Sequence, residues 1–521
     1  MACPEPALRF IAEFEPVVIP MTRLCIGFEV HQPYRLNTGF RPESPGAKSP
    51  AEDYFSRVNK EILERVCQKC YVPATQLVLE LLDQGFKCAF SLSGTLVEQM
   101  EKWGPGALEL FKQVARHRNA ELLSQTYYHS VASLFDDLSE FEEQVRQHRE
   151  LIRSTFGVTP RVMENTEFIF NNAIAESAKR LGFTGIYSEG VERVLGWRSP
   201  NYVYSCRGIK LLLRNYPLSD DIAFRFANRQ WPEWPLTADR YASWIAGTPG
   251  DYVNLFIDYE TFGEHQWVDT GIFEFLRWLP GECMARGVDF VTPSEVLSLP
   301  AKEDLDVEET ISWADVEKDV SAWLGNTMQH LAIKEIQRGK EFAKDLKTWR
   351  YLQTSDHFYY MASKFGSCGD VHSYFSPGAC TSIESFDLYM RVLSDYELRA
   401  AQHMKPRQVA LELRCLPPEQ AFRFQNHVAY TGFSAYGLDD FADLLNFVPE
   451  DSLQYHLHRD DFSVWIRDVL RDPELADDVF RCGNRIELID VADRRRKELW
   501  SRLKSTGGKE RRRGDVWSHS K

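Results

Sequence analysis

Up to about residue 297, short apolar runs alternate with amphipathic stretches, and this alternation constrains the fold more than anything else in the chain. The runs are LCIGF at Leu24, KCAFSL at Lys87, AELLS at Ala120, RVMEN at Arg161, TGIYS at Thr184, IKLLLR at Ile209, YVNLFID at Tyr252 and VDFVT at Val288. They are too short for helices and read as strands. Residues 73–84, 139–156 and 171–181, which lie between them, carry helical periodicity. Strand and helix alternating about seven or eight times imply a parallel sheet, most economically a β/α barrel. In a barrel the strand ends converge on one face, and polar or reactive residues follow several of these strands.

From Glu303 to Gln402 the pattern turns helical. Trp313, Trp323, Leu324, Met328 and the block TSDHFYYM (Thr354–Met361) predict a bundle packed on the barrel, with the aromatics as packing. A composition shift near Met404–Gln408 opens a third unit. There RQVALELRCL and AFRFQN read as strands, and Leu438–Leu445 and Phe462–Leu470 as helices. The expected division is a barrel over 1–297, a helical domain over 298–403, a small α+β accessory domain over 404–503 and a basic disordered tail over 504–521.

A formal net charge of −15 over 521 residues argues against nucleic acid as a partner and suits a neutral, sugar-like substrate. The cysteines are scattered, and Cys67 and Cys70 have no second CxxC to complete a zinc site, so no metal is expected. No phosphate-cradling glycine loop joins a strand to a helix, so no cofactor is implied. The N-terminus carries acids and prolines instead of a secretory signal, and no apolar stretch approaches the ~18 residues of a membrane span. A cytoplasmic protein without membrane contact is expected, and homo-oligomerisation is left open.

The densest chemistry lies in FIDYETFGEHQW (Phe256–Trp267), where an apolar run ends in carboxylates, an imidazole and an aromatic ring. Read as one strand, Asp258 and Glu260 point to the same side. Gly263 lets the backbone turn, and Glu264 and His265 follow. Two neighbouring acids shift each other's pKa, as acid/base chemistry requires.

Other strand ends carry Glu29-Val30-His31-Gln32-Pro33, Glu121 followed by Thr126-Tyr127-Tyr128-His129, Glu164-Asn165-Thr166-Glu167, and Thr292-Pro293-Ser294. With Asp258–Trp267, these blocks in this order resemble glycoside hydrolase family 57, specifically its α-amylase branch. The resemblance extends through TSDHFYYM and HSYFSP at His372. It implies an incomplete (β/α)7 barrel followed by a helical domain, and a retaining mechanism on α-1,4-glucans or maltooligosaccharides. By the same resemblance Glu167 is the nucleophile, with Glu164 as the nearby competitor, and Asp258 is the acid/base. Glu260 beside Asp258, together with partial burial, is expected to raise the Asp258 pKa, with the two acids coupled. His31, Glu121, His129, Glu260, His265 and Trp267 are the expected substrate-binding residues. Tyr128, Trp231 and Trp234 are further stacking candidates. The third unit looks like a small domain of unknown function, and His456 and His458 would share a strand face there, more as surface residues than as a metal pair.

The same chemistry serves a 4-α-glucanotransferase or branching enzyme if a sugar resolves the glycosyl-enzyme. Two other classes compete. A metal-dependent carbohydrate deacetylase would carry Asp-Asp or His-x-Asp ligands at early strand ends, whereas His31 is followed by Gln32 and Pro33. A noncatalytic glycan-binding protein would bind without turnover.

Overall fold

The computed structural model describes residues 22–42, 51–364 and 381–514. The motif at His372 and the N-terminal segment read for a signal lie outside them.

The apolar runs form parallel strands around β1 (Arg23–Val30), which is buried along nearly its whole length. On one side β1 pairs with β8 (Val253–Asp258), from Leu24 opposite Val253 to Glu29 opposite Asp258. On the other its second half pairs with β2 (Cys88–Leu92), and β2 pairs with β3 (Ala120–Leu122). The first half of β1 meets β9 (Asp289–Val291). A second sheet holds β4 (Val162–Met163), β5 (Gly185–Glu189) and β7 (Ile209–Arg214) in parallel. Its edge strand, β6 (Tyr204–Cys206), runs antiparallel to β7. The sequence reading missed this hairpin. Its turn is Arg207-Gly208, both at positive φ, the conformation that tight hairpins use.

A parallel bridge from Ser124 to Met163 joins the two sheets on one side. On the other, the Asn215 N–H donates to the Asn254 carbonyl (2.8 Å). The result is the expected incomplete barrel. Its interior is filled by Cys25, Ala89, Tyr187, Leu212 and Phe256. Gly27 is part of that filling, since a Cβ there would stand 2.4 Å from the Phe256 ring.

The helices Thr327–Arg338, Leu346–Tyr351, Ser355–Tyr359 and Ser382–Ala401 follow. Trp323, Trp349, Phe358 and Tyr389 share one apolar cluster with Phe141, Ile174 and Ile186 of the barrel, so the helical region seals the outside of the second sheet. Beyond it, the hairpin of β10 (Phe422–Gln425) and β11 (Tyr430–Ala435) packs with helices around Leu413, Phe424, Phe441, Ile466 and Leu499. Among the described residues no helix is long and apolar enough to cross a membrane.

Three expectations fail here. RQVALELRCL is not a strand, because Val409, Ala410 and Leu413 bury one helical face and give the helix Arg407–Leu413. His456 belongs to the helix Glu450–Leu457 and His458 caps its end. The His456 Nε2 accepts from the Gln425 N–H (2.9 Å) and its Nδ1 donates to Asp461 (2.8 Å), so the ring is committed to the fold. The expected disordered tail is helical as far as Gly514, in the helix Arg485–Gly514, and Leu499 and Leu503 carry its apolar stripe up to Lys504. Residues 515–521 lie outside the description.

Candidate active site

Strand ends β1, β4, β7 and β8 deliver side chains to one cavity of about 340 Å³. Glu29, His31, His129, Glu167, Arg214, Asp258, Glu260 and His265 line it. The helical region closes it with Trp313, Asp356 and Tyr360.

Glu167 enters on a strained turn. It has φ 59° and Phe168 has φ 54°, both left-handed, which costs about 1 kcal/mol or more for a non-glycine residue. The Asn165 amide holds the turn by donating to the Ile169 carbonyl (2.7 Å) and to Ser133 (3.0 Å). Phe168 thereby fills the barrel against Phe256 (4.7 Å between centroids) and stacks on Trp313, while Glu167 faces the cavity. Trp313 Nε1 donates to Glu167 Oε2 and Ser355 Oγ to Oε1, each at 2.8 Å. His129 Nε2 stands 3.6 Å from Oε1. Burial alone would raise the Glu167 pKa, but the His129 ring and the Trp313 indole outweigh it and hold the carboxyl below its ordinary value.

His129 is itself at positive φ and donates from Nδ1 to Gln125 Oε1 (2.8 Å). Against burial, the neighbouring Glu167 and Glu164 raise its pKa. His31 stacks on it at 4.0 Å, pairs with Ser93 (2.7 Å) and donates to Asp356 (3.0 Å). Burial, then the His129 charge, pull His31 down to about 4. Asp356 is pushed up by burial but held low by His31 and His129.

Asp258 behaves oppositely to Glu167. Burial, then the Glu167 charge, raise it to about 7, although Arg214 and His129 pull the other way. Among the described residues no hydrogen-bond donor engages its carboxyl. Glu260 rises to about 8, chiefly by burial, while accepting from the Tyr71 hydroxyl. The single-strand reading of this block needs correction. β8 stops at Asp258 and Tyr259–Thr261 is a turn, so both acids reach the cavity by different routes. Burial raises Asp258 as expected, but the neighbouring charge that adds to it is that of Glu167, while Asp258 in turn raises Glu260. The turn at Gly263 is as expected, with φ 118° and a hypothetical Cβ 2.0 Å from the Lys69 carbonyl. His265 lines the cavity, and burial takes its pKa to about 4.

Two expected substrate-binding residues lie elsewhere. Glu121 is set in β3, where its carboxylate accepts from Ser294 N (2.9 Å) and Oγ (2.7 Å) and anchors the Thr292-Pro293-Ser294 block. Trp267 is half exposed outside the cavity, donating to the Glu264 carbonyl (3.1 Å) beneath Lys69. Tyr128 packs with Tyr34 and Tyr351, and Trp231 packs against Trp244. Trp234 does not line the cavity either. Glu164, the competitor of Glu167, is buried behind the site and accepts from Ser91 (3.1 Å).

The sequence reading missed Asp356 and Ser355, and took Trp313 as bundle packing. It also missed Gln125, which links His129 to Glu29 (2.8 Å from Nε2 to Oε1), and Arg214, although a charged residue ending an apolar strand was a usable signal. Among the described residues, no three His, Cys, Asp or Glu side chains are grouped to hold a metal ion.

Residues 25–312 match the model of Glycosyl hydrolase family 57. The chain is 45% identical over 395 residues to the "Putative alpha-amylase" of Methanocaldococcus jannaschii, an alignment covering 72% of this chain and 84% of that one. Its fold is similar to that of the GH57-type branching enzyme from Pyrococcus horikoshii, with a TM-score of 0.54 at 14% identity over 74% of this chain and 91% of that one. The GH57 branching enzyme from Thermococcus kodakaraensis gives a TM-score of 0.51 at 13% identity over 75% and 91%. With a family model matching more than half its length, and a relative of this identity covered over more than two thirds, the chain belongs to glycosyl hydrolase family 57.

Proposed function

We propose that this protein cleaves α-1,4-glucans with retention of anomeric configuration, through a covalent intermediate on Glu167. One observation carries the reading. Two carboxyl groups of one cavity have their pKa values moved apart, Glu167 down and Asp258 up to about 7. At neutral pH this leaves one ionised nucleophile and one acid able to give a proton, the division of labour that glycosidic cleavage needs.

In the first step Glu167 attacks the anomeric carbon, the glycosidic C–O bond breaks, and Asp258 protonates the departing oxygen. In the second, ionised Asp258 takes a proton from water, whose oxygen displaces Glu167. Trp313 and Ser355 hold the Glu167 carboxylate so that little reorganisation is needed. His31, His129, Glu260, His265 and Asp356 supply donors and acceptors for sugar hydroxyls. The name of the archaeal relative supports the substrate class. A cytoplasmic location belongs to the same reading.

The test is to incubate the wild type and Glu167→Gln with maltoheptaose and follow the products chromatographically, with NMR of the newborn anomers. Cleavage with retention by the wild type and none by the variant is expected. An untouched substrate, or an equally active variant, would overturn the assignment.

A further inference from the structure

At the back of the catalytic cavity lie two carboxyl groups that the cleavage steps do not use. Glu29, near the end of β1, and Glu164, just after β4, are 3% and 1% exposed and are hydrogen-bonded to each other. Among the described residues neither pairs with a lysine or arginine. Two ionised carboxylates are not buried side by side without such a cation.

The surrounding hydrogen bonds assign the proton between them. Gln125 Nε2 donates to Glu29 Oε1 and to Ser91 Oγ, each at 2.8 Å, and the Ser91 hydroxyl donates onward to Glu164 Oε2 (3.1 Å). Glu29 Oε2 is the buried oxygen left without a donor. A proton there, shared with Glu164, completes the chain and leaves the pair a single negative charge.

Gln125 also fixes the ring of His129. Its amide nitrogen is committed to Glu29 and Ser91, so its carbonyl oxygen faces His129 and Nδ1 donates to it (2.8 Å). Nε2 faces Glu167 Oε1 at 3.6 Å. A ring with an acceptor at each nitrogen carries both protons and is a cation. The other groups around it fit this charge. His148 is neutral, because its Nδ1 accepts from the Gln125 N–H (3.3 Å) while its Nε2 donates to the Leu92 carbonyl (2.7 Å). His31, stacked on His129, stays neutral beside it, Asp356 adds a negative charge, and Asp258, opposite Glu29 in the strand register, is held protonated up to about 7.

We infer that Glu29 and Glu164 hold one proton between them, and that this acid–carboxylate pair keeps His129 an imidazolium beside Glu167, acting as a positioning pair for the nucleophile. The role of Glu167 rests on the glucan reading above, whereas the state of the pair and of His129 does not. Burial, then the Glu164 charge, push Glu29 well above its ordinary value, and against burial the Glu167 and Glu164 charges raise His129.

An amide is the isostere of a protonated carboxyl. Glu29→Gln and Glu164→Gln each replace one member while the other keeps the charge, and only the double variant removes that charge. The experiment follows the His129 ring by NMR of protein carrying isotope-labelled histidine, assigned by its loss in His129→Gln, together with the acid limb of cleavage. In the wild type and in both single variants His129 should titrate above the ordinary histidine value of about 6.5. In the double variant it should titrate lower by about one unit or more, and the acid limb should rise, because Glu167 then faces a neutral ring. A purely structural role would lower stability or kcat without this pattern. Single variants that each lower the His129 titration would mean that both carboxyls are ionised, and an unshifted double variant would mean that the pair does not set the charge of the ring; either result would overturn the inference. If the double variant does not fold, the wild type decides, since a His129 titrating below about 6.5 overturns it. A protein that leaves maltoheptaose intact yet shows the expected His129 titrations would overturn the glucan reading and leave the pair standing.

Discussion

Glu167 and Asp258 are opposite outcomes of burial at one site. Both lose hydration, but Glu167 accepts from Trp313 and Ser355 and has the His129 ring 3.6 Å away, while Asp258 has the negative charge of Glu167 beside it. kcat/KM should therefore follow a bell. The acid limb lies below the ordinary glutamate value, where Glu167 becomes protonated. The alkaline limb falls as pH rises through about 7, where Asp258 loses the proton it must donate. A pH profile whose alkaline limb lay well above that value would remove Asp258 from the acid role. Trp313→Phe keeps a ring against Phe168 and deletes the indole donor to Glu167. A hydrogen bond to a charged group contributes about 1.5–3 kcal/mol, so kcat/KM should drop by about one to two orders of magnitude. The acid limb should move upward at the same time, because the carboxylate has lost a stabilising donor. A falling rate with an unmoved acid limb would mean that Trp313 serves only packing.

At the scale of elements, β1 is the strand on which the site depends, because it pairs with the strands on either side while carrying Glu29 and leading to His31. Gly27 sits in it against the Phe256 ring. Gly27→Ala should destabilise the protein by about 1–3 kcal/mol through overpacking, and Phe256 would be pressed against Phe168, the residue following the nucleophile. Urea unfolding would show this as a lower midpoint at constant slope, with a loss of kcat in the folded fraction. An unchanged midpoint would mean that the ring swings away freely.

The same strand shows what was legible in the sequence. Its apolar run, and those of the other main strands, announced themselves because strands buried on both faces leave little room for polar residues. The residues at their ends could be read for the same reason, since a polar group after such a run must go somewhere useful. Contacts set by geometry alone were not legible. Whether Glu121 faces the cavity or Ser294 depends on its height along β3, and Trp313 touches Glu167 across 146 positions of sequence. RQVALELRCL was misread because a short apolar run suits strand and helix alike until its packing partner is known.

At the scale of the whole molecule, the helical region and the C-terminal unit meet around a single buried guanidinium that no sequence window could reveal. Arg338 ends the helix Thr327–Arg338 and pairs with Glu335 of the same helix. It also reaches Glu397 of the helix Ser382–Ala401 (3.5 Å) and Asp439 of the helix Leu438–Leu444 (3.6 Å). It donates as well to the Leu413 carbonyl at the end of the helix Arg407–Leu413. Glu335 and Glu397 are almost completely buried, so a cation between them is what lets these carboxylates sit side by side. Burial already takes Glu397 up to about 7 in spite of Arg338. Arg338→Met keeps the volume and removes the charge, leaving buried carboxylates to repel one another across the joint. Breaking a buried pair in this way costs about 3–5 kcal/mol. The loss should fall on the junction first, giving urea unfolding of the C-terminal unit a separate, earlier transition, monitored through the Trp465 and Trp500 emission. The pH profile of cleavage should be unmoved, because Arg338 does not line the catalytic cavity. A single transition at the wild-type midpoint would mean that the other contacts across the joint, Phe342 against Trp500 and Lys334 with Asp440 (3.6 Å) and Asp443 (2.5 Å), suffice to join the two parts.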